Sequence, residues 1–400
     1  MKTSWENGSL VLFLEGRIDS SNAEAWEREL RAALDAHPGC TPILDFGGLT
    51  YISSAGLRVL MKLSKQAGEK LTAREVSPEV YEILDVTGFT VLLDVRKRLR
   101  EIDVEGCEVI GRGAYGTVYR IDADTIVKVY EMPDAVAMIR NEQKMAKYAF
   151  LKGIPTAISY DIVRVGAYYG SVFELVKAQT FNDLLVREPE RADALMRQYA
   201  EVIRRVHAVT AEPGELRDAG GMFLQYLDEV SPVLPEAAAA KLKALLEAVP
   251  DDLHLIHGDI HMKNVMLSDG EPLLIDMDTL SVGDPVFDFA GLITAYELFE
   301  EDEPGNTVRF MGISPEVSRN VWRKVLQYYL DSPDADTLRT AGDRVRLAGS
   351  LRFLDLVYAH HVGDPALRSI RTEHAVRTMT ELLERVDDLS LAPLRDKACV

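Results

Sequence analysis

Residues 257 to 278 read HGDIHMKNVMLSDGEPLLIDMD, and this stretch decides the fold of the larger part of the chain. It places Asp259 after His-Gly, Asn264 five residues later, and Asp276 at the end of a short apolar run. Phosphoryl transfer from ATP needs an Asp that accepts a hydroxyl proton, with an Asn and an Asp that hold magnesium. The stretch therefore predicts Asp259 as the general base and Asn264 and Asp276 as ligands of Mg²⁺.

A glycine motif upstream fits the same chemistry. In VIGRGAYGTVYRI, Gly111, Gly113 and Gly116 form GxGxxG, and Val118 follows at the apolar position over a nucleotide base. β-rich runs flank the motif on both sides, which indicates the strand-turn-strand of protein kinases rather than the strand-helix of dinucleotide-binding proteins. In TIVKVY, Lys128 lies inside the next strand, where a buried cation can bind the α and β phosphates of ATP. The alternative for Lys128 is an exposed strand lysine.

Two further segments complete the predicted ATP site. Glu142, on an amphipathic helix after Lys128, is placed to pair with that lysine, and Glu131 and Glu174 are its competitors. The run SVFELVKAQTF reads as a strand followed by a crossover, so the backbone around Glu174 to Val176 is expected to hydrogen-bond adenine. ATP and Mg²⁺ are therefore the expected cofactors.

The segments IHGDIHMKNVML and LLIDMDTLSVGDPVFDFAG resemble the aminoglycoside and choline phosphotransferase family, whose patterns are HGDxxxxN and IDxxxxxxGDPxxDxA. The resemblance spans about residues 107 to 385 and implies a bilobal, protein-kinase-like fold. It also implies that His257 braces the catalytic loop. Asp278 competes with Asp276 for the metal, and Asp276 is preferred because it directly ends the run LLI. Asp284 and Asp288 are expected to hydrogen-bond loop backbone.

The acceptor is predicted to be a hydroxyl of a small molecule. His261 stands where protein kinases usually have Lys, and eleven residues separate Asp276 from Asp288, which leaves no room for a peptide-positioning activation loop. The run ELFEEDE at 297 to 303 could attract a cationic acceptor, and the alternative is a solvated helix end. Aromatic residues of the following helices could box an amine or lie in the core: Tyr296, Trp322, Tyr328, Tyr329 and Tyr358.

The first hundred residues alternate short strands and helices, which predicts a small α/β layer domain. A first helix is expected to start from Ser20 and Ser21. A second helix, in SSAGLRVLMKLSKQAG, is expected to turn its apolar side chains inward: Leu57, Leu60, Met61 and Leu63.

LTYISSAGLRVL at 49 to 60 resembles the STAS domain of anti-sigma-factor antagonists, over about residues 1 to 100. In that family the serine before the helix is phosphorylated to release a regulatory partner, and Ser54 matches that position. The usual preceding Asp is Ser53 here, and Ala55 follows, so the motif is a variant. The alternative is that Ser53 and Ser54 only cap the helix.

These patterns predict an α/β N-terminal STAS-like domain at 1–104 and an α+β protein-kinase-like bilobal domain. The latter divides into an N-lobe at 105–180 and a C-lobe with a helical C-terminal part at 181–400. The formal charge of −19 argues against binding nucleic acid or an anionic membrane and suits a cationic ligand.

The cysteines Cys40, Cys107 and Cys399 lie far apart, so neither a disulfide framework nor a zinc site is expected. The N-terminus carries Glu6 where a signal peptide needs an apolar core, and later windows are too polar to span a membrane. A cytoplasmic protein is expected.

Two functions follow. The first is an ATP- and Mg²⁺-dependent phosphotransferase acting on a small molecule, with the STAS-like domain as a regulatory module. The alternative is a signalling protein whose STAS-like domain binds a regulatory protein partner and whose kinase domain phosphorylates Ser54, within the same chain, or another protein.

Overall fold

The chain forms two compact units in the computed structural model. The first unit comprises Met1–Glu105 with Ile162–Tyr169, and the second comprises Gly106–Asp161 and the chain from Gly170 onward. The structure describes residues 1–6, 8–113, 116–132 and 135–395.

The first unit is a five-stranded sheet with helices in its crossovers. Its strands, in the order β1-β2-β3-β4-β5, are β1 (Lys2–Glu6), β2 (Ser9–Ile18), β3 (Ile43–Ile52), β4 (Thr72–Val76) and β5 (Asp94–Lys97). Its helices are α1 (Ala23–Ala36), α2 (Ser54–Ala67), α3 (Pro78–Val86) and α4 (Phe89–Leu92). β1 runs antiparallel to β2, and the other neighbours are parallel, which requires the helical crossovers. The predicted α/β class of this unit is confirmed.

Two details of this unit differ from the sequence predictions. α1 begins at Ala23, after the predicted Ser20 and Ser21, because Asp19 and Asn22 close a turn ahead of it, with the Asp19 N–H donating to Asn22 Oδ1 (2.9 Å). Met61 is 38% exposed and does not face the core. It follows Leu60 directly, and adjacent helical residues point about 100° apart.

A short pair of strands also belongs largely to the first unit. β6 (Arg100–Glu101) pairs in parallel with β10 (Asp161–Val165), with Arg100 opposite Val163.

The second unit begins with an antiparallel sheet followed by a helix. The strands are β7 (Glu108–Gly113), β8 (Gly116–Arg120), β9 (Thr125–Tyr130) and β11 (Tyr168–Glu174), in the order β11-β9-β8-β7. Helix α5 (Val136–Leu151) follows β9. The predicted strand-turn-strand thus occurs at the glycine motif, with Gly113 opposite Gly116 in the β7–β8 pair.

The remainder of the second unit is predominantly helical. Its helices are α6 (Phe181–Arg187), α7 (Ala192–His207), α8 (Ala219–Val230), α9 (Glu236–Glu247), α10 (Val286–Ile293), α11 (Phe299–Asp302), α12 (Asn306–Met311), α13 (Pro315–Leu330), α14 (Ala335–Leu354), α15 (Arg368–Leu383) and α16 (Ala392–Arg395). π-helical turns extend α10 over Thr294–Leu298 and α14 over Asp355–Ala359. α10 is apolar on nearly every face except at Asp288, and it is buried throughout. The predicted kinase-like class with a helical C-terminal part is confirmed.

Short strands hold the segment from residue 255 to residue 282. They are β12 (Gln179–Thr180), β13 (Leu255–Ile256), β14 (Val265–Ser268), β15 (Glu271–Leu274) and β16 (Ser281–Val282). β14 lies between β12 and β15, and β13 pairs with β16. The loop between β13 and β14 is consequently fixed at both ends.

Within the described part of the chain, no helix combines the length and apolar character needed to cross a membrane. Cys40 and Cys107 are free thiols, and Cys399 lies outside the described residues.

Candidate active site

The predicted catalytic loop connects β13 to β14 and carries Asp259, whose side chain is 39% exposed. Gly258 turns the chain just before it with φ +83°, a conformation that favours glycine. A Cβ at Gly258 would lie 2.6 Å from the Thr279 carbonyl oxygen. The loop therefore requires glycine at this position for both backbone conformation and space.

The buried carboxylate of Asp288 holds the loop from beneath. Asp288 accepts hydrogen bonds from the backbone N–H groups of His257 (3.0 Å) and Gly258 (2.6 Å), and its Oδ2 lies 2.9 Å from His207 Nε2. Burial opposes ionisation of Asp288, but the hydrogen bond and charge of His207, with His257, lower the pKa of that carboxyl. Asp288 thus acts through backbone contacts, as predicted.

The neighbouring Asp284 also binds loop backbone. Its carboxylate accepts from the N–H groups of Val286 (2.8 Å) and Leu391 (3.0 Å) and from the Ser390 hydroxyl (2.6 Å). This contact ties α10 to the C-terminal segment, so the predicted backbone role of Asp284 is confirmed as well.

The carboxylate of Asp259 is surrounded by potential hydrogen-bond donors. Arg352 Nη2 lies 3.5 Å from Oδ1, His261 Nε2 lies 3.5 Å from Oδ2, and Asn264 Nδ2 donates to the Asp259 carbonyl (2.9 Å). Arg352 also donates to the Gly258 carbonyl at 2.5 Å. Arg352 is therefore a positioning residue for Asp259, and sequence analysis missed it because it stands in α14 with no local motif around it.

Lys128 lies between two carboxylates. Its Nζ is 3.4 Å from Glu142 Oε1 and contacts Asp276 Oδ1 directly. Burial disfavours its charge, but Asp276 and Glu142 outweigh burial and raise the pKa of Lys128. Lys128 is thus held as a cation, and it is a largely buried rather than an exposed strand lysine.

The structure brings Glu142, rather than its competitors, to Lys128. Glu131 accepts a hydrogen bond from the Thr117 hydroxyl (3.0 Å), and Glu174 is exposed at the end of β11. Burial raises the pKa of Glu142, although Lys128 and a hydrogen bond from the Tyr130 hydroxyl oppose that shift. Tyr130 fixes the orientation of this carboxylate, and the sequence carried no signal for that contact.

The two Asp residues that compete for the metal differ in environment. Asp276 has left-handed backbone (φ +55°, ψ +58°) and a side chain that is 41% exposed. Asp278 is more enclosed, and burial, followed by the charge of Asp276, raises its pKa. Its carbonyl accepts from Asn141 Nδ2 (3.1 Å) on α5. Asp276 therefore presents the more accessible oxygen ligands.

The glycine motif is partly described, because Ala114 and Tyr115 at its tip lie outside the described residues. Gly116 starts β8, and a Cβ there would lie 1.8 Å from the Val129 carbonyl oxygen on β9. Val118 stands opposite Lys128 in the β8–β9 pair. Gly111 and Gly113 lie in β7, which forms a hairpin with β8.

The predicted adenine segment follows β11. Leu175 N–H donates to the Asp124 carbonyl (2.7 Å), and Ala178 N–H donates to the Val176 carbonyl (3.0 Å). The Leu175 N–H and the Val176 carbonyl are consequently engaged within the protein, so the predicted adenine contacts would use other backbone groups of Glu174 to Val176.

Comparison with known proteins agrees with this geometry. The model of the "Phosphotransferase enzyme family" (APH) matches residues 106–313, which include the glycine motif, Lys128 and the catalytic loop. The chain belongs to the APH phosphotransferase family. The N-terminal residues 1–94 match a second model, "Mlab, STAS domain".

A curated relative covers the STAS domain. BtrV of Bordetella bronchiseptica, named as an anti-sigma factor antagonist, is 39% identical over 92 residues, which are 22% of this chain and 78% of that protein. The first unit is therefore a STAS domain.

Solved structures of aminoglycoside phosphotransferases resemble the chain at low identity. ADP-bound APH(2'')-Ib is 15% identical with a TM-score of 0.48, covering 76% of this chain and 99% of the other. A thermostable mutant of APH(4)-Ia with ADP and hygromycin B is 14% identical with a TM-score of 0.47, covering 70% and 94%.

The acidic run at 297 to 303 is divided between core and surface. It ends helix α11 with Glu301 exposed, as a solvated helix end predicts, whereas Glu297 and Glu300 are buried. Glu297 is buried and contacts Trp322 Nε1 (2.6 Å), Arg323 (2.8 Å) and Arg346 (2.8 Å). The remaining acidic groups have partners as well: Glu300 with backbone N–H groups, Glu301 with Arg346, Asp302 with His374, and Glu303 with Arg309 and Arg371. Each of these acidic groups has a partner within the protein, which argues against a cation-binding surface at this run.

The aromatic residues of this region mostly lie in the core. Tyr296, Trp322 and Tyr329 are buried, and Tyr328 stacks with Arg197 at 4.2 Å. Tyr358 is half-buried in the π-helical turn after α14. The three buried rings belong to the core rather than to an amine box.

Proposed function

We propose that the APH domain transfers the γ-phosphoryl group of ATP to a hydroxyl group of a small molecule. The observation that carries this proposal is the arrangement around Asp259 and Lys128. An accessible carboxylate is positioned by Arg352 and Asn264, and a buried cation is held by Glu142 and Asp276.

In the proposed reaction the acceptor oxygen bonds to the γ-phosphorus as the bond to the β,γ-bridging oxygen breaks. The hydroxyl proton passes to Asp259, and ADP leaves with the bridging oxygen. Lys128 holds the phosphate groups by charge, because its raised pKa keeps it protonated. Arg352 holds the carboxylate of Asp259 and the preceding carbonyl in place, so the base meets the hydroxyl in one orientation.

The oxygen donors of Asn264 and Asp276 fit Mg²⁺, which prefers carboxylate and amide oxygens. Asn264 uses its Nδ2 on the Asp259 carbonyl, which leaves its amide oxygen for a metal, and Asp276 is half-exposed. When bound, Mg²⁺ supplies neutralisation of the phosphate charge. The ammonium of Lys128 also contacts Asp276 Oδ1.

Turnover over a panel of amino sugars, choline-like alcohols and sugars tests this function. Asp259→Asn keeps the shape of the loop but removes the base, and general-base removal is expected to lower ATP consumption by about 10²–10⁴-fold. Asp269→Asn, in the turn between β14 and β15, is the matched control. ATP consumption that is equal in wild type and Asp259→Asn would show that Asp259 is not the base.

The same assay separates the two metal candidates. Asp276→Asn is expected to raise the Mg²⁺ concentration needed for half-maximal turnover more than Asp278→Asn does, because Asp276 is the more accessible of the two. The opposite order would transfer the metal role to Asp278.

The net charge of −19 favours a cationic acceptor. The acidic run that could have recognised it is paired internally. The panel therefore includes neutral sugars on equal terms.

We infer a second candidate function for the STAS domain, in which the kinase activity phosphorylates Ser54 and thereby controls binding of a regulatory protein. The observation that favours it is a division of roles between two serines. Ser53 caps α2, since its hydroxyl accepts from Ala55 N–H (3.2 Å), while Ser54 is the exposed first residue of the helix. A phosphate there would meet the positive end of the helix dipole.

Phosphopeptide mapping after incubation with ATP and Mg²⁺ tests this function, with Asp259→Asn as the inactive control and Ser53→Ala as the matched serine control. Phosphate on Ser54 at a rate independent of protein concentration is expected for transfer within one chain. A rate that rises with protein concentration would show that phosphate is transferred between chains rather than within one chain. If the amount of phosphorylated Ser54 is the same in wild type and in Asp259→Asn, the kinase activity of this chain does not phosphorylate Ser54.

A further inference from the structure

Three side chains of the second unit bring potential metal ligands together outside the residues assigned to phosphoryl transfer. One ligand atom each from Glu229, Asp355 and His360 lies within 4.8 Å of the others. Glu229 stands on α8, Asp355 opens the π-helical turn that extends α14, and His360 directly follows that turn. π-helical turns are rare and occur often at functional sites.

The carboxylate of Asp355 is the buried member of this cluster. Asp355 is only 3% exposed, and its Oδ1 has no hydrogen-bond partner among the residues that the structure describes. Its Oδ2 lies 3.3 Å from His360 Nδ1. A buried carboxylate oxygen without a partner is costly, and such groups in folded proteins mark the place of an ion or a bound water. The orphaned oxygen therefore points to a ligand of positive charge.

The donor set indicates which cation fits. Two carboxylates and one imidazole are ligands for transition metals such as Zn²⁺, whereas Mg²⁺ prefers oxygen ligands alone. Glu229 is exposed and the His360 side chain is 54% exposed, so a metal can enter from solvent and keep a position for water. We propose that Glu229, Asp355 and His360 form a binding site for a divalent transition metal.

Charged groups of both signs surround Asp355. Glu229 and His360 are its partners in the cluster, and Arg352 also faces it. Arg352 stands one helical turn before Asp355 and also contacts Asp259, so the site is electrostatically linked to the base.

Calorimetric titration of Zn²⁺ into the nucleotide-free full chain tests the proposal. Wild type and Asp276→Asn are expected to bind one Zn²⁺ at this site. Glu229→Gln, Asp355→Asn and His360→Gln are each expected to weaken that binding by at least about tenfold, since each removes one ligand. Asp228→Asn, an exposed carboxylate adjacent to Glu229, is the matched control and is expected to bind as wild type.

Co²⁺ provides an independent readout. Its visible absorption bands in wild type should appear without a thiolate charge-transfer band, which excludes Cys40 and Cys107 as ligands, and should be lost in the three ligand variants. If circular dichroism shows that Asp355→Asn is unfolded, the variants at the exposed positions Glu229 and His360 still test the proposal.

Unchanged Zn²⁺ affinity in Glu229→Gln and His360→Gln would overturn the proposal. So would binding of tetramethylammonium at the cluster with no binding of Zn²⁺. Binding is measured without nucleotide, so its failure is distinguishable from failure of the phosphotransferase proposal.

Discussion

Replacement of Asp288 by Asn should loosen the catalytic loop while leaving the shape of the side chain intact. Asp288 is fully buried, with Oδ1 accepting from Gly258 N–H and Oδ2 accepting from His257 N–H and from His207. Asn has one accepting oxygen, and its NH₂ group must face one of these donors. The better orientation keeps the contacts of Oδ2 and turns the NH₂ group toward Gly258 N–H.

The expected cost follows from the bonds that are lost. The hydrogen bond from Gly258 to a charged acceptor contributes about 1.5–3 kcal/mol, and a buried N–H left without a partner costs about 1–3 kcal/mol. Removing one partner of a buried charged pair has a similar cost, about 3–5 kcal/mol. We therefore expect the free energy of unfolding of the APH domain to fall by about 3–5 kcal/mol. ATP consumption should fall as well, because Gly258 immediately precedes the proposed base.

Urea unfolding followed by circular dichroism, together with ATP consumption, measures both effects. The STAS transition serves as an internal reference, and Asp364→Asn, an exposed cap of a short helix, is the matched control. A midpoint of the APH transition within experimental error of wild type, with full ATP consumption, would refute the role assigned to Asp288.

The pH dependence has a definite sign. Because the pKa of Asp288 is lowered from 3.8 on folding, its ionised form stabilises the protein above pH 3.8, and that contribution is lost as the pH falls through the lowered value. The stability difference between wild type and Asp288→Asn should therefore shrink in acid below pH 3.8. A difference that grows in acid would contradict the assignment.

Gly116→Ala should weaken ATP binding, measured by calorimetry, by about tenfold or more. The added Cβ would lie 1.8 Å from the Val129 carbonyl oxygen and would displace strand β8, and overpacking of this kind costs about 1–3 kcal/mol. Unchanged ATP affinity would contradict that close approach. Arg352→Met should lower kcat by about tenfold or more with the KM for ATP unchanged, and Arg352→Lys should restore part of the rate, because Arg352 orients Asp259. A change confined to the KM for ATP would show a different role. Met61→Gln should change stability by less than about 0.5 kcal/mol in urea, as expected at an exposed site, whereas a loss of about 2 kcal/mol would place Met61 in the core after all.

Elements with a strong local pattern were predictable. Helix α3 occupies Pro78–Val86, and its start is marked by local signals, because Ser77 caps it and proline is its first residue. The strand-turn-strand at Gly111 to Gly116 followed from the flanking β-rich runs. In both cases the residues that decide the structure are neighbours in the chain.

Elements that depend on distant partners were not predictable. The acidic run at 297 to 303 looked like a solvated helix end or a cation site, yet Glu297 is buried against arginines from α13 and α14. Nothing local to the run distinguished these outcomes, since a buried and a solvated acidic helix end use the same residue types. The start of α1 was missed for a local reason, because the turn that precedes it uses the side chain of Asn22 rather than a serine.

The sequence by itself determined the order of the chemical groups in HGDIHMKNVMLSDGEPLLIDMD and in the glycine motif, because phosphoryl transfer demands these residue types at fixed short spacings. Tertiary structure alone decided which carboxylate meets Lys128, that Arg352 positions Asp259, and that Glu229 and Asp355 converge with His360. These contacts join helices and strands far apart in the chain, so they depend on how the elements pack rather than on local sequence.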